Sequence, residues 1–320
     1  MTDPLRHILT GLILLTLAAC VSGPAEQLPA PLRQAQNLLG EGVEHYRNGQ
    51  YPAAQRLFAR ALEHYRLLDN PQGIVASSIN MARVLHASGD TARARQWLQQ
   101  AGALNRQYQP PNRQQLAAHI RLLQAGIAAE QNRLDDAITA LDTLLAGDVD
   151  TAVRLGALQL RTRVAGLQQQ DFRRWLQAYA DAVKAGGNAP GPAARLARFQ
   201  AQAAAERNEK NALFSRALTL YRQQANRPGI AATLTEWAQQ DMVAGEAETA
   251  EDKLLRALHI RLALHDSTRA RQVLTGLQAL YRQNRQEARL QQANDWLDRL
   301  SATGFDNWQD AMQAFDTYPQ

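Results

Sequence analysis

Residues 38–61 read LLGEGVEHYRNGQYPAAQRLFARA and decide the fold. The small residues Gly42 and Ala54 stand where two antiparallel helices would cross closely, and Phe58, one turn beyond Ala54, would fill the space beside them. Gly49 separates the two helical stretches, because a helix commonly ends on a residue in the left-handed region, which glycine enters without a side-chain penalty. The stretch therefore predicts a helical hairpin with a tight turn at Gly49.

The pattern recurs along the chain. Its turn glycine returns as Gly89 and again as Gly245, each followed by alanines at the same spacing. The segment 57–74 also recurs 156 residues later, where Phe214 takes the place of Phe58 and a Gly-Ile pair again closes the segment. This recurrence predicts that the body of the chain is a row of similar helical hairpins.

The spacing of glycine, aromatic residue and alanine resembles the tetratricopeptide repeat, a hairpin of two antiparallel helices. Gly49 and Gly89 are 40 residues apart, which exceeds the usual repeat length of about 34, and HEAT-type and other helical solenoids share the longer period. The order of small and large residues favours the tetratricopeptide resemblance. That resemblance implies an all-α, TPR-like helical-hairpin solenoid of about seven helix pairs, whose inner helices line a concave groove.

Residues 17–20, LAAC, close a short apolar stretch over 8–17 and hold the only cysteine of the chain. The stretch is shorter than the about 20 residues that span a bilayer, and its layout is that of an export signal. The four residues resemble the lipobox of bacterial lipoproteins; a buried cysteine behind an ordinary signal is the alternative. The resemblance implies acylation of Cys20 and, since Val21 and Ser22 follow in place of aspartate, an outer-membrane anchor facing the periplasm of a Gram-negative bacterium.

Two further segments interrupt or end the hairpins. Gly186 to Pro192 contains three glycines and two prolines, which do not continue a helix, so a hinge is expected there. Between Phe305 and Phe315, four large apolar side chains share one helical face, which we expect to cap the stack; docking to a partner is the alternative. The predicted divisions are a signal peptide (1–19), a lipidated cysteine and flexible linker (20–32), N-terminal repeats (33–185), a hinge (186–192), C-terminal repeats (193–302) and a capping segment (303–320).

The overall composition limits the classes of protein and partner. A mean hydropathy of −0.41 excludes a polytopic membrane protein. The net charge of +5 is typical of an arginine-rich solvated surface; affinity for acidic partners, anionic headgroups or peptidoglycan carboxylates is the alternative. Nucleic acid is not expected as a partner, because the arginines are dispersed along the chain without a concentrated basic block.

No group of residues predicts chemistry. The histidines are not spaced as metal ligands, and the sequence contains no HExxH motif, no phosphate-binding glycine loop and no nucleophile elbow. We therefore expect neither an enzyme nor a bound metal or cofactor.

The resemblance also implies which side chains face the groove. They lie on the first helices of the first, second and sixth hairpins. They are Val43, Tyr46, Arg47, Asn80, Arg83, His86, Gln239 and Met242. We accordingly expect a membrane-anchored periplasmic scaffold or adaptor that binds other envelope proteins during complex assembly. A peptidoglycan-binding or ligand-binding lipoprotein is the alternative. The partners expected are the bilayer and envelope proteins and, in the alternative, the cell wall.

Overall fold

The chain folds as a row of antiparallel helices. The computed structural model describes residues 28–302, and over that range it contains fourteen α-helices and no β-strand. The helices are α1 Ala30–Arg47, α2 Tyr51–Leu67, α3 Pro71–Ala87, α4 Thr91–Tyr108, α5 Arg113–Glu130, α6 Leu134–Ala146, α7 Thr151–Gln168, α8 Phe172–Ala185, α9 Pro190–Ala203, α10 Arg207–Gln223, α11 Arg227–Val243, α12 Ala247–Ala263, α13 Ser267–Gln283 and α14 Glu287–Ala302. They form seven consecutive pairs, which confirms the predicted all-α solenoid of helical hairpins.

Several predictions from the sequence concern the two ends of the chain. The signal peptide, Cys20 and the capping segment 303–320 lie outside the described residues. Helix α1 begins at Ala30, within the segment predicted as linker. Pro31 does not prevent this start, because proline fits the first turn of a helix, where its missing N–H would have no intrahelical partner.

The first hairpin closes as its small residues predict. A Cβ atom at Gly42 would lie 2.5 Å from Cε1 of Phe58, so α1 and α2 approach closely only because glycine stands there. Ala54 and Phe58 are fully buried beside it. The turn residue Gly49 has a φ angle of +76°, in the left-handed region. In the third hairpin Asn132 takes the place of the turn glycine with a φ angle of +59°.

The two copies of the recurring segment build the same junction between hairpins. In the first copy the ring of Tyr65 packs against Gly73 so closely that no Cβ would fit there. The side chain of Asn70 accepts a hydrogen bond of 2.8 Å from the N–H of Gly73 and so caps α3. The second copy makes the same two contacts with Tyr221, Gly229 and Asn226.

Apolar side chains pack between neighbouring hairpins and not around one centre. Separate clusters of buried residues follow one another along the row from α1 to α14. This arrangement is typical of a solenoid, in which each unit buries its apolar face on the next one. Between residues 28 and 302, none of the helices has the length and apolar character needed to cross a membrane.

Of the segment predicted as a hinge, residues 186–189 form a short loop and residues 190–192 begin α9. Helix α8 ends at Ala185 and α9 begins at Pro190, so the break in the helix is where the prolines place it. Across this loop the hydroxyl of Tyr179 donates to the carbonyl oxygen of Pro192 at 3.2 Å. Tyr179 also meets Phe199 edge to face, with 5.9 Å between ring centroids. Helices α8 and α9 are therefore packed directly on each other.

The last hairpins return to the first ones, in what we call the closing contact. The C-terminal ends of α1, α3 and α5 meet the N-terminal ends of α11 and α13. A Cβ atom at Gly49 would lie 2.7 Å from Cδ2 of Leu264 and 3.0 Å from Cγ of Pro228. Arg269 donates from Nη1 to the carbonyl oxygen of Ala87 at 3.4 Å, although the two residues are 182 positions apart. The sequence did not predict this contact.

Candidate partner-binding surfaces

The predicted groove residues of α1 differ in how accessible they are. Val43 and Tyr46 are half-buried and pack on the core between the first three hairpins. The ring of Tyr46 leans on that of Tyr51, with 5.9 Å between centroids. Arg47 is exposed and pairs with Glu44, 2.6 Å from Nη1 to Oε1. An exposed pair of this kind contributes little to stability, so the Arg47 guanidinium is available to a partner.

Helix α3 brings two predicted residues together. The side-chain amide of Asn80 donates to the carbonyl oxygen of Ala76 at 3.1 Å, and its oxygen accepts from Nη1 of Arg83 at 2.9 Å. Burial lowers the pKa of His119 on α5; the carboxylate of Asp150 opposes that shift, and the charge of Arg83 adds to it. Asn80 therefore holds the guanidinium of Arg83, whose charge also acts on His119 of the next inner helix.

His86, the third predicted residue of α3, is held within the molecule. Its side chain is 12% exposed, and Nε2 lies 3.4 Å from Oε2 of Glu130 at the end of α5. Burial lowers the pKa of His86, Glu130 raises it, and Arg269 and Arg163 lower it further. The imidazole thus belongs to the closing contact and presents little surface to a partner.

The predicted residues of α11 divide in the same way. Gln239 is exposed, while Met242 is half-buried and packs on the core of the last hairpins. The eight predicted residues therefore differ in exposure: Arg47 and Gln239 are exposed, and the other six, Val43, Tyr46, Asn80, Arg83, His86 and Met242, are half-buried.

A buried group of charges stabilises the closing contact. Asp266 is 1% exposed and accepts hydrogen bonds from Nη1 of Arg261 at 3.0 Å and from Nη1 of Arg269 at 3.2 Å. Arg269 also reaches Glu130, 3.4 Å from Nη2 to Oε1. Burial lowers the pKa of Arg261, and the Asp266 carboxylate opposes that shift. A buried carboxylate between two guanidinium groups is costly to break, because removal of one partner leaves a charge without compensation.

A second open surface, which we call the arginine cleft, lies between α4 and α6 above α5. Its volume is about 400 Å³. The floor is apolar and is made of Leu98, Ala125, Ile127 and Ala128, while the wall carries arginines. Two short alanine side chains on α5 leave the depression open.

Three arginines line the cleft, namely Arg95, Arg121 and Arg133. Arg133 pairs with Asp136, 2.9 Å from Nη1 to Oδ2. Arg95 and Arg121 are exposed and have no ion-pair partner within residues 28–302. Sequence reasoning missed this site because its residues come from three helices; the alanines of α5 beside dispersed arginines were the only signal.

Within residues 28–302, no group of three or more histidine, cysteine, aspartate or glutamate side chains could hold a metal ion. The two surfaces described above can offer guanidinium groups, amides and apolar area to another molecule. Their chemistry is that of recognition.

Comparison with known proteins gives a family match for the first two hairpins. Residues 34–107, which cover α2, α3 and most of α1 and α4, match the family model of the tetratricopeptide repeat. The chain is also similar to a tetratricopeptide repeat protein from Parabacteroides merdae ATCC 43184, with 14% identity, a TM-score of 0.36, and coverage of 82% of this chain and 99% of that one. No curated protein matches the sequence. Tetratricopeptide repeats generally bind protein partners.

Proposed function

We propose that the protein is a lipid-anchored scaffold of the bacterial envelope. In this proposal acylated Cys20 attaches the chain to the outer membrane on its periplasmic side, and the helical hairpins bind another envelope protein during complex assembly. The LAAC motif at 17–20 and the repeats over 34–107 support it. The mechanism is tethering, because a partner held at the membrane has a raised effective concentration near its client.

The arginine cleft is the observation that carries the binding part of the proposal. Its apolar floor is suited to an apolar side chain, and the unpaired guanidinium groups of Arg95 and Arg121 are suited to carboxylates. A hydrogen bond that involves a charged group contributes about 1.5–3 kcal/mol, and arginine binds carboxylates through two parallel bonds. We therefore infer that the partner presents an acidic peptide segment with at least one large apolar side chain.

Crosslinking of the full-length protein in envelopes, followed by mass spectrometry, tests this binding. We expect recovery of the crosslinked partner to fall about tenfold or more in the double variant Arg95→Glu, Arg121→Glu, because each reversed charge repels the acidic segment. The matched control is Arg60→Glu, Arg216→Glu, two exposed arginines at equivalent positions of the two recurring segments. The control should leave recovery unchanged.

Two outcomes would contradict the cleft as the binding site. Equal recovery with both double variants would exclude it. Loss of the partner with Tyr46→Ala and Arg83→Ala, but not with the cleft variant, would show that the partner binds the groove predicted from the sequence.

The anchor is tested separately. Mass spectrometry of the mature protein should find Cys20 as the N-terminal residue carrying a diacylglycerol and an amide-linked acyl chain. An unmodified Cys20 in a mature secreted form would exclude the anchor.

Binding of peptidoglycan is the second candidate function, and the unpaired arginines of the cleft favour it because peptidoglycan also presents carboxylates. Retention on purified peptidoglycan that disappears at high salt would support this alternative, since salt screens exposed charges. Retention at every salt concentration, or none, would exclude it.

A further inference from the structure

The large apolar side chains that remain exposed are unevenly placed. Within residues 28–302 they are Leu28, Leu67, Leu68, Tyr108, Leu167 and Val243. The first four lie where the chain enters α1 and where α2 and α4 end. The side chain of Leu67 is 77% exposed. Single exposed apolar residues need no explanation, but a group of them marks an interaction surface.

These four positions share one edge of the solenoid, which we call the N-terminal edge and define as residues 28–33, 66–70 and 106–113. One core cluster lies beneath it. That cluster contains residues from the first half of α1, the second half of α2 and the start of α3, and the second half of α4 packs against it. Because the helices are antiparallel, these ends lie on the same side of the first two hairpins.

The leucines are not needed to build the helix end. At the equivalent positions of the second recurring segment the chain has Gln223 and Gln224. That copy nevertheless makes the same cap and the same tyrosine–glycine contact. Leu67 and Leu68 therefore have a reason to be apolar other than local folding.

The N-terminal edge also carries an excess of positive charge. Four exposed arginines lie on it, namely Arg33, Arg66, Arg106 and Arg113. The carboxylates nearby are Glu63 and Asp69, and Glu63 pairs with Arg66 at 3.9 Å. Two positive charges are left over. Apolar side chains interleaved with arginines are typical of a surface that lies at a membrane interface.

The length of the tether places this edge close to the bilayer. Leu28 follows Cys20 by eight residues, and a fully extended chain of that length spans at most about 28 Å. The opposite ends of α1 and α3 are covered by the closing contact with α11 and α13. Within residues 28–302, the N-terminal edge is thus the edge of the first two hairpins that the closing contact leaves uncovered.

We propose that the N-terminal edge docks on the anionic lipid surface to which the protein is anchored. Leu67, Leu68 and Tyr108 enter the interfacial region, and the arginines contact lipid phosphates. This inference rests on the proposed anchoring at Cys20 and adds an orientation to it: the row of hairpins stands with its first two units on the membrane, and the arginine cleft is held near the surface.

Depth-dependent fluorescence quenching tests the orientation. Because Cys20 is the only cysteine, acylation leaves no free thiol, and a cysteine introduced at Leu68→Cys carries a unique fluorophore. The matched control is Val243→Cys, an apolar position at the end of α11 that is 86% exposed. The full-length acylated protein is reconstituted into vesicles of phosphatidylethanolamine and phosphatidylglycerol that contain quencher-labelled lipid.

We expect quenching at position 68 to exceed quenching at position 243 about fivefold or more, since only the N-terminal edge reaches the interface. The reporter at position 68 should lose this excess when Arg33→Glu and Arg106→Glu are added, and should keep it with Arg60→Glu and Arg216→Glu. Equal quenching at positions 68 and 243 would overturn the proposal, as would an excess that survives reversal of the edge charges.

Failure of the anchor gives a different result. If Cys20 is not acylated, mass spectrometry finds two fluorophores on the Leu68→Cys protein. The measurement is then repeated on the full chain with Cys20→Ser and added vesicles. Selective quenching at position 68 would retain the edge as a membrane-binding surface without the anchor, and its absence would overturn the edge as well.

Discussion

The two recurring segments, 57–74 and 213–230, have the same local structure in different surroundings. In both, an asparagine caps the next helix and a tyrosine ring packs on a glycine. The second copy contains Pro228, which lies against the loop of Gly49. The carbonyl oxygen of Pro228 accepts a hydrogen bond from Nη2 of Arg261 at 3.3 Å. In the first copy, Leu67 and Leu68 are exposed at the end of α2.

This comparison separates two levels of structure. Contacts between one helix and the next depend on residues a few positions apart, so equal sequence gives equal geometry. Contacts between distant hairpins depend on the curvature that accumulates along the row. Four predictions follow from the difference, in order of expected effect.

Removal of the buried carboxylate should have the largest effect, because Asp266 accepts from the guanidinium groups of Arg261 and Arg269 and also caps α13 through the N–H of Arg269. Asp266→Ala leaves the buried guanidinium of Arg261 without its carboxylate partner, and the free energy of unfolding should fall by about 3–5 kcal/mol. Urea denaturation measures it. The control Asp252→Ala removes an exposed pair with Arg256 and should cost less than about 1 kcal/mol. Similar losses for both variants would contradict a stabilising role of this buried group of charges.

Alanine at the two junction glycines should have the same effect in both copies. In Gly73→Ala and Gly229→Ala the new Cβ meets the rings of Tyr65 and Tyr221, and we expect a loss of about 1–3 kcal/mol each from overpacking. Thermal unfolding checks this. Gly40→Ala, a helical glycine with open space around it, should instead stabilise the protein by about 0.5–1 kcal/mol. A stabilising effect at position 73 or 229 would show that the tyrosines do not need the glycine.

Loss of the caps should have a smaller effect that is again equal in the two copies. Asn70→Ala and Asn226→Ala each remove one hydrogen bond to a helix N-terminus, at a cost of about 1 kcal/mol. Because the two sites are far apart along the row, the double variant should show the sum of the single effects. Chemical denaturation measures all three variants, and a strong departure from additivity would mean that the copies are coupled.

The pH dependence of the closing contact should be the smallest effect. Burial holds the pKa of His86 below 6.5, so the unfolded chain takes up a proton at a higher pH than the folded chain does. The contribution of neutral His86 to stability is therefore complete above about pH 6.5, and it falls as the pH drops towards the pKa of His86 in the folded protein. Glu130, Arg269 and Arg163 face the ring and modulate this pKa.

Denaturation of wild type and His86→Gln across pH 5 to 8 measures this contribution. The variant should show a shallower loss of stability with acid, and not a flat profile, because burial also lowers the pKa of His119 and His265. Identical pH profiles for the two proteins would exclude a contribution from His86.

Much of the fold could be predicted because its signals are local. Gly49, Gly89 and Gly245 all have positive φ angles, and the spacing of small and large residues predicts the first, second and sixth hairpins. The candidate site was harder to predict. His86 was assigned to the groove from its position on α3, but its partner Glu130 is 44 residues away and contacts it only because α5 ends beside α3.

The sequence by itself determined the hairpins, their turns and the junction that recurs 156 residues later, since each depends on side chains within two neighbouring helices. The tertiary structure alone decided the closing contact, the arginine cleft and which edge of the first hairpins stays uncovered. The physical reason is that a small rotation between successive hairpins accumulates along the row. The sum of those rotations cannot be predicted from any short stretch of sequence. That sum nevertheless brings Arg269 into contact with Ala87 and Glu130.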